Sequence, residues 1–231
     1  MGMVFLSVMG IVSGGMEIEL LSRAAKGGVT TDEADASDAR QQVIGVVQLP
    51  FTLATGIAFF MWFHRVHKNL PALGSRSLKY TPGWAVGGFF VPFLNLVRPA
   101  QVMNEVWHAS RPTALKRDLG PAGPRLRDRS GAPALVGWWW ALFLASGILG
   151  RITTRMALAE NPTLDHLQTL SGLLVSADVV TIPGVLLAVA LIGRITGWQR
   201  ERFDRLQQLD LEPPGEFEDH AGSGPSFAFE E

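Results

Sequence analysis

Residues 80–110 read YTPGWAVGGFFVPFLNLVRPAQVMNEVWHAS. The stretch is apolar enough to enter a membrane, yet Pro82, Pro92 and Pro99 interrupt it and Gly83, Gly87 and Gly88 loosen its first third. Its uncharged part, Thr81–Val97, has 17 residues, at the lower limit for a helix that needs about 20 apolar residues to cross a bilayer core. Pro92 in its middle would remove a helical hydrogen bond and clash with the preceding turn. A carbonyl freed in this way is costly in lipid unless protein or water satisfies it. After Val97 the pattern turns amphipathic, with Val102, Met103, Val106 and Trp107 on one side and Gln101, Asn104, Glu105 and His108 on the other. We therefore expect residues 81–110 to be a re-entrant or interfacial segment: a hairpin over Trp84–Val97, then a helix over Pro99–Ser110 lying in the interface.

Four longer apolar runs surround this segment. Val43–Phe63 has 21 uncharged residues, Ala132–Gly150 has 19, and Ser171–Gly193 has 23 with Asp178 as its only charge. The first 16 residues of the chain are also uncharged, and Glu17 and Glu19 follow near the end of that run. It lacks a basic lead and a small-x-small cleavage site, so it reads as a retained span rather than a signal peptide. Spans are thus expected at about 2–21, 43–63, 132–150 and 171–193, in one membrane domain over residues 1–205. The fold class is an all-α, polytopic membrane helical bundle of four transmembrane helices plus the re-entrant segment. Pairs of small residues at four-residue spacing, such as Gly10 with Gly14 and Gly184 with Ala188, let such helices approach closely. Residues 206–231 are rich in Pro, Gly and acid beyond Leu211 and are expected to form a disordered acidic cytoplasmic tail.

Charge gives the orientation. Lys and Arg number 3 in residues 22–42, 4 in 64–80, 7 in 98–131, 2 in 151–170 and 4 in 194–205. If the proline-broken segment does not cross, one side holds 15 and the other 5, and the richer side is cytoplasmic. If it crosses, the bias disappears. Both termini are then expected inside. All seven tryptophans fall near the same ends, either as headgroup anchors or as a platform packed against residues 80–110. A net charge of −1 points to no nucleic-acid partner, and the absence of cysteine excludes disulfides, thiolate metal sites and thiol nucleophiles.

A longer pattern runs through the middle of the chain. Trp62, Arg65 and Asn69 are followed by Leu73-Gly74, by Thr81–Gly87, and by Phe90, Pro92, Asn95, Leu96, Arg98, Pro99, Gln101–Met103, Glu105, Trp107, Ala109 and Ser110. Arg194-Ile195-Thr196 with Trp198-Gln199 follows the last span. Over roughly residues 43–205 the chain resembles the bacterial domain-of-unknown-function 4328 family. The resemblance implies a multi-pass protein of the bacterial cytoplasmic membrane and brings no activity with it.

Two constellations could carry chemistry. Asp178 is an ionisable group inside a span, with Pro183 five residues on and Arg151 as a candidate partner at the outer end of the preceding span. Such acids face a bundle interior or water and serve either as an ion or proton site or as an interhelical tie. The second set is Arg65, Asn69, Asn95, Arg98, Gln101 and Glu105, near Asn104 and His108. A lipid phosphate could sit on Arg65 and Arg98; alternatively the set satisfies backbone released by Pro92 and Pro99. His64, His67 and His108 lack the spacing of a metal site, and no phosphate loop, nucleophile elbow or dinucleotide fingerprint occurs. We expect no catalytic residue, metal or cofactor. The expected function is a non-enzymatic scaffold or lipid- and partner-binding module at the cytoplasmic face. Its partners would be membrane lipids, a second copy or another membrane protein. The alternative is a small oligomeric transporter or channel component using Asp178 and the broken helix.

Overall fold

The computed structural model describes residues 2–75, 78–114 and 133–211. Its elements are α1 (Gly2–Ala24), α2 (Thr31–Asn69), α3 (Pro82–Gly87), a 3-10 turn (Leu94–Leu96), α4 (Arg98–Ser110), α5 (Ala134–Ala157) and α6 (Leu164–Leu211). Four of them, α1, α2, α5 and α6, are long and apolar enough to cross a membrane. The chain is an all-α bundle; the runs 2–21, 43–63 and 171–193 fall within these helices, and 132–150 does so from Ala134 on.

The helices are longer than the apolar runs because polar turns extend them. Thr30 caps α2: its hydroxyl accepts the Glu33 N–H, and the Glu33 carboxylate accepts the Thr30 N–H. This satisfies two orphan donors reciprocally, and acid in the first turn suits the helix dipole. Arg23 in the last turn of α1 pairs with Glu33 at 3.0 Å and ties the two helices across their turn. α6 continues to Leu211, so the first residues of the expected disordered tail are helical, while 212–231 lie outside the described residues. Pro183 and Pro50 sit inside α6 and α2 without ending them. The span expected over 171–193 is one continuous helix through Pro183.

Contacts fix the helix directions. α1 runs antiparallel to α2 through Ser13 with Arg40 and Arg23 with Glu33. It runs antiparallel to α6 through Gly10 with Asp178 and Gly14 with Val175. A Cβ at either glycine would overlap its neighbour, so this small-residue pair does set a close backbone approach. α5 is antiparallel to α6 through Ser146 with Thr181 at 3.5 Å and His166 with the Met156 carbonyl at 2.9 Å. α2 is parallel to α6, since Trp62 Nε1 donates to Thr196 Oγ1 at 3.2 Å and Gln199 Nε2 to the Val66 carbonyl at 2.8 Å. The bundle is up-down-up-down. The α1–α2 and α5–α6 turns form one end, here the loop end. The C-terminal part of α2, the start of α5 and the late turns of α6 form the other, the platform end.

The two ends differ in packing. In the apolar run of α2, Val43, Val46, Leu49, Leu53 and Ile57 are exposed, a surface suited to hydrocarbon rather than water. The core lies at the platform end, where Phe63 and Leu70 of α2, Val102, Met103 and Val106 of α4, Val136 of α5 and Ile195 of α6 are fully buried together. Trp107, Trp139 and Trp140 belong to this core, with Trp62 and Trp198 packed against it, whereas Trp138 faces outward. The tryptophans thus build a packed platform more than a headgroup belt.

Residues 80–110 start and finish at the platform end. Ser75 Oγ donates to the Ala109 carbonyl at 3.4 Å, and Tyr80 OH donates to Gln101 Oε1 at 3.0 Å. The segment is a hairpin of α3, a turn and α4 whose two limbs meet at the same end of the bundle. One expectation is corrected: the apolar face of α4 packs on α5 and α6 instead of lying on lipid.

Candidate functional site

Glu105 is the hub of the platform. Its carboxylate accepts the N–H of Lys79 at 2.7 Å, the N–H of Tyr80 at 3.3 Å and His67 Nε2–H at 3.3 Å. Lys79 and Tyr80 lead into α3, so one side chain ties the entrance of the hairpin to α4 and α2. Gln101, one turn earlier, takes the Tyr80 hydroxyl. For these two residues the backbone- and neighbour-satisfying role is what the geometry contains.

α6 closes the same region from below. Gln199 Nε2 donates to the Val66 carbonyl and to Ser110 Oγ at 3.1 Å. Arg202, fully buried, donates Nε to the Leu73 carbonyl and Nη1 to the Ala109 carbonyl, both at 2.5 Å. These are carbonyls at or just beyond helix ends, which lack intrahelical donors, and a cation there also suits the dipole. Sequence reasoning did not select Arg202 or assign Gln199 a role. The available signal was spacing: Leu191, Ile195, Gln199 and Arg202 continue a single helix face from apolar to polar.

Arg98 is held differently. Its guanidinium lies over the Tyr80 ring at 5.1 Å and the Trp84 ring at 5.5 Å, while Lys79 Nζ approaches the Tyr80 ring at 5.5 Å. Gly88 leaves room for its stem, since a Cβ there would stand 3.0 Å from Arg98 Cγ. Arg98 Nε is buried without a hydrogen-bond partner among the described residues, and the first turn of α4 carries no acid. A cation stacked on two aromatic faces thus stands at the positive end of a helix dipole. That arrangement favours an anion.

Beside Arg98 the hairpin tip turns outward. Phe89 packs inward on Phe60, Trp140 and Phe143, but Phe90, Val91, Phe93, Leu96 and Val97 are exposed. Phe93 has φ 62° and ψ −39°, and the Leu94 N–H donates to the Pro92 carbonyl at 2.8 Å. This is a γ-turn of the rare positive-φ kind. The Leu96 carbonyl is taken by Trp140 Nε1 at 2.8 Å, and the Asn95 side chain makes no hydrogen bond among the described residues.

The structure does not assemble the whole expected pocket. Phe63, Val66, His67 and Leu70 form the inward face of α2, while Arg65 and Asn69 fall on the opposite, exposed face. They do not join Arg98, and the α2 side chain that reaches this segment is His67, on Glu105. Asp178 faces α1 and α2: Gln48 Nε2 donates to its Oδ1 at 3.4 Å, and Gly10 lies against it. Arg151 is exposed on α5 and forms no ion pair with it. Among the described residues no group of three His, Cys, Asp or Glu could hold a metal ion.

Residues 25–197 match a family model described as a domain of unknown function, DUF4328. No curated protein and no solved structure matches.

Proposed function

The chain belongs to the DUF4328 family, and on that premise we propose a non-enzymatic module of a bacterial cytoplasmic membrane that binds anionic lipid headgroups at its platform end. That end faces the cytoplasm on the strength of the 15-to-5 division of basic residues. The observation that carries the reading is Arg98, stacked on Tyr80 and Trp84 at the start of α4 with no acid in that turn. A lipid phosphate would meet the guanidinium, the Lys79 ammonium and first-turn N–H groups of α4. The exposed Phe90, Phe93 and Leu96 would sit among the acyl chains below it.

The test is anionic-lipid binding by the purified protein in nanodiscs of graded composition. Arg98→Ala weakens binding about tenfold, the weight of one charge-assisted hydrogen bond, and salt weakens it further. Arg65→Ala, on the opposite face of α2, leaves it unchanged. Equal binding by wild type and Arg98→Ala would remove the reading, and a protein that co-purifies only with the wild type would favour a scaffold instead. The second reading, a small oligomeric transporter or channel component, draws its support from Asp178.

A further inference from the structure

The α1–α2–α6 interface carries polar groups on one side of Asp178 and apolar ones on the other. From the loop end inward, Glu17 meets Gln41, then Arg40 Nε and Nη2 donate to Ser13 Oγ and Ser37 Oγ at 2.9 Å each, then Gln48 reaches Asp178. Ser13, Ser37 and Ser171 along this line are all buried. Toward the platform end the same interface closes with Gly2 against Phe51 and Met3 against Thr52. At its inner end lies Ser7, 1% exposed, whose hydroxyl faces Asp178.

We propose that Asp178, Ser7 and the side-chain amide of Gln48 form a site for one small monovalent cation, H⁺ or Na⁺, reached from the α1–α2 turn. Three features carry this. The site offers oxygen donors, which hard cations take; the Gln48 amide presents its oxygen or its nitrogen by rotation about one bond. Its single carboxylate balances one positive charge, so a divalent ion would leave an excess charge in an apolar span. Among the described residues no basic side chain pairs with Asp178: Arg151 and Arg155 of α5 are exposed, and Arg40 is engaged by Ser13 and Ser37. The charged groups along the interface are Glu17 of α1 and Asp38 and Arg40 of α2, and both α2 groups lie close enough to interact with Glu17. Gly10 has no side chain because the carboxylate occupies that space. The site is independent of the lipid reading, and Arg98→Ala leaves it intact.

The experiment uses the full chain in nanodiscs. Thermal midpoint and the infrared carboxyl band are followed while NaCl replaces choline chloride at fixed pH, and while pH is varied without Na⁺. A response to Na⁺ identifies a sodium site and a response to pH alone a proton site; either response, lost in Asp178→Asn, supports the proposal. Ser7→Ala keeps the fold and weakens the response several-fold, which serves if Asp178→Asn does not fold. A wild type with neither response, or a response unchanged in the variants, overturns it. Because the chain has no cysteine, Ser13→Cys treated with a bulky thiol reagent from the α1–α2 side reads the route. Block of the response is expected, and an unaltered response overturns access from that side.

Discussion

Among single residues, Glu105 has the most to lose. Three donors converge on its carboxylate, two of them backbone N–H groups at the entrance of the hairpin. Glu105→Ala leaves those donors unsatisfied in a half-buried place and should cost about 1–3 kcal/mol. Glu105→Gln keeps one acceptor but sets an NH₂ against the remaining donors, so it should fall between alanine and wild type. Thermal unfolding in detergent gives the ranking, and amide exchange at Lys79 and Tyr80 gives the location; unchanged exchange in Glu105→Ala would contradict the hub role. Glu105, Gln101 and Arg98 stood out in an amphipathic run bounded by prolines, but the backbone N–H groups that Glu105 satisfies belong to Lys79 and Tyr80, and Gln101 takes a side-chain hydroxyl; no periodicity within residues 98–110 points to those partners. Arg65 and Asn69 stood close in sequence but lie two and six positions from Phe63, on the far side of a helix whose buried positions follow i, i+3, i+4, i+7. Arg202 was not legible as buried, because an arginine just past an apolar run ordinarily reads as a solvated end. Only the chain folding back from α2 and α4 supplies the carbonyls that hold it.

Among elements, the hairpin tip carries strain. Phe93 sits at φ 62°, a region costing a residue with a Cβ about 1–3 kcal/mol. Glycine is ordinarily less stable than alanine by about 0.5–1 kcal/mol in regular structure. At position 93 the order should invert, with Phe93→Gly unfolding at a higher temperature than Phe93→Ala. The comparison holds because both variants lose the ring and differ only in the Cβ. The hairpin itself was legible from three prolines and a run too short to cross. What covers its second limb was not. Helical periodicity shows that one face of α4 avoids water, and lipid and protein satisfy that demand equally. Helix ends escaped for a related reason: the polar turns of α2 and α6 extend well beyond their apolar runs, and hydropathy is silent about polar helix.

For the whole molecule, the thin spans and the dense platform imply different solvents for the two ends. The spans expose apolar side chains along α2 and bury few residues, whereas the platform is packed like a soluble core. Because the segment 80–110 returns to its own end, the described parts of the basic stretches, 64–75, 78–80, 98–114 and 194–205, lie toward one end of the bundle, as the 15-to-5 reading of the sequence requires. A crossing segment would have erased that bias, so charge and geometry depend on the same hairpin. The chain has no cysteine, which makes the arrangement measurable with single substitutions. Ala72→Cys places a thiol in the exposed turn after α2, and Asp165→Cys places one at the exposed start of α6. With a membrane-impermeant thiol reagent on intact bacterial cells, Asp165→Cys should label and Ala72→Cys should label only after permeabilisation. Labelling of Ala72→Cys alone would invert the protein. Arg98 would then face away from the anionic inner leaflet, and the lipid reading would lose its ligand while the Asp178 site would open to the cytoplasm. Labelling of both would put the two turns on one side and break the four-span bundle itself.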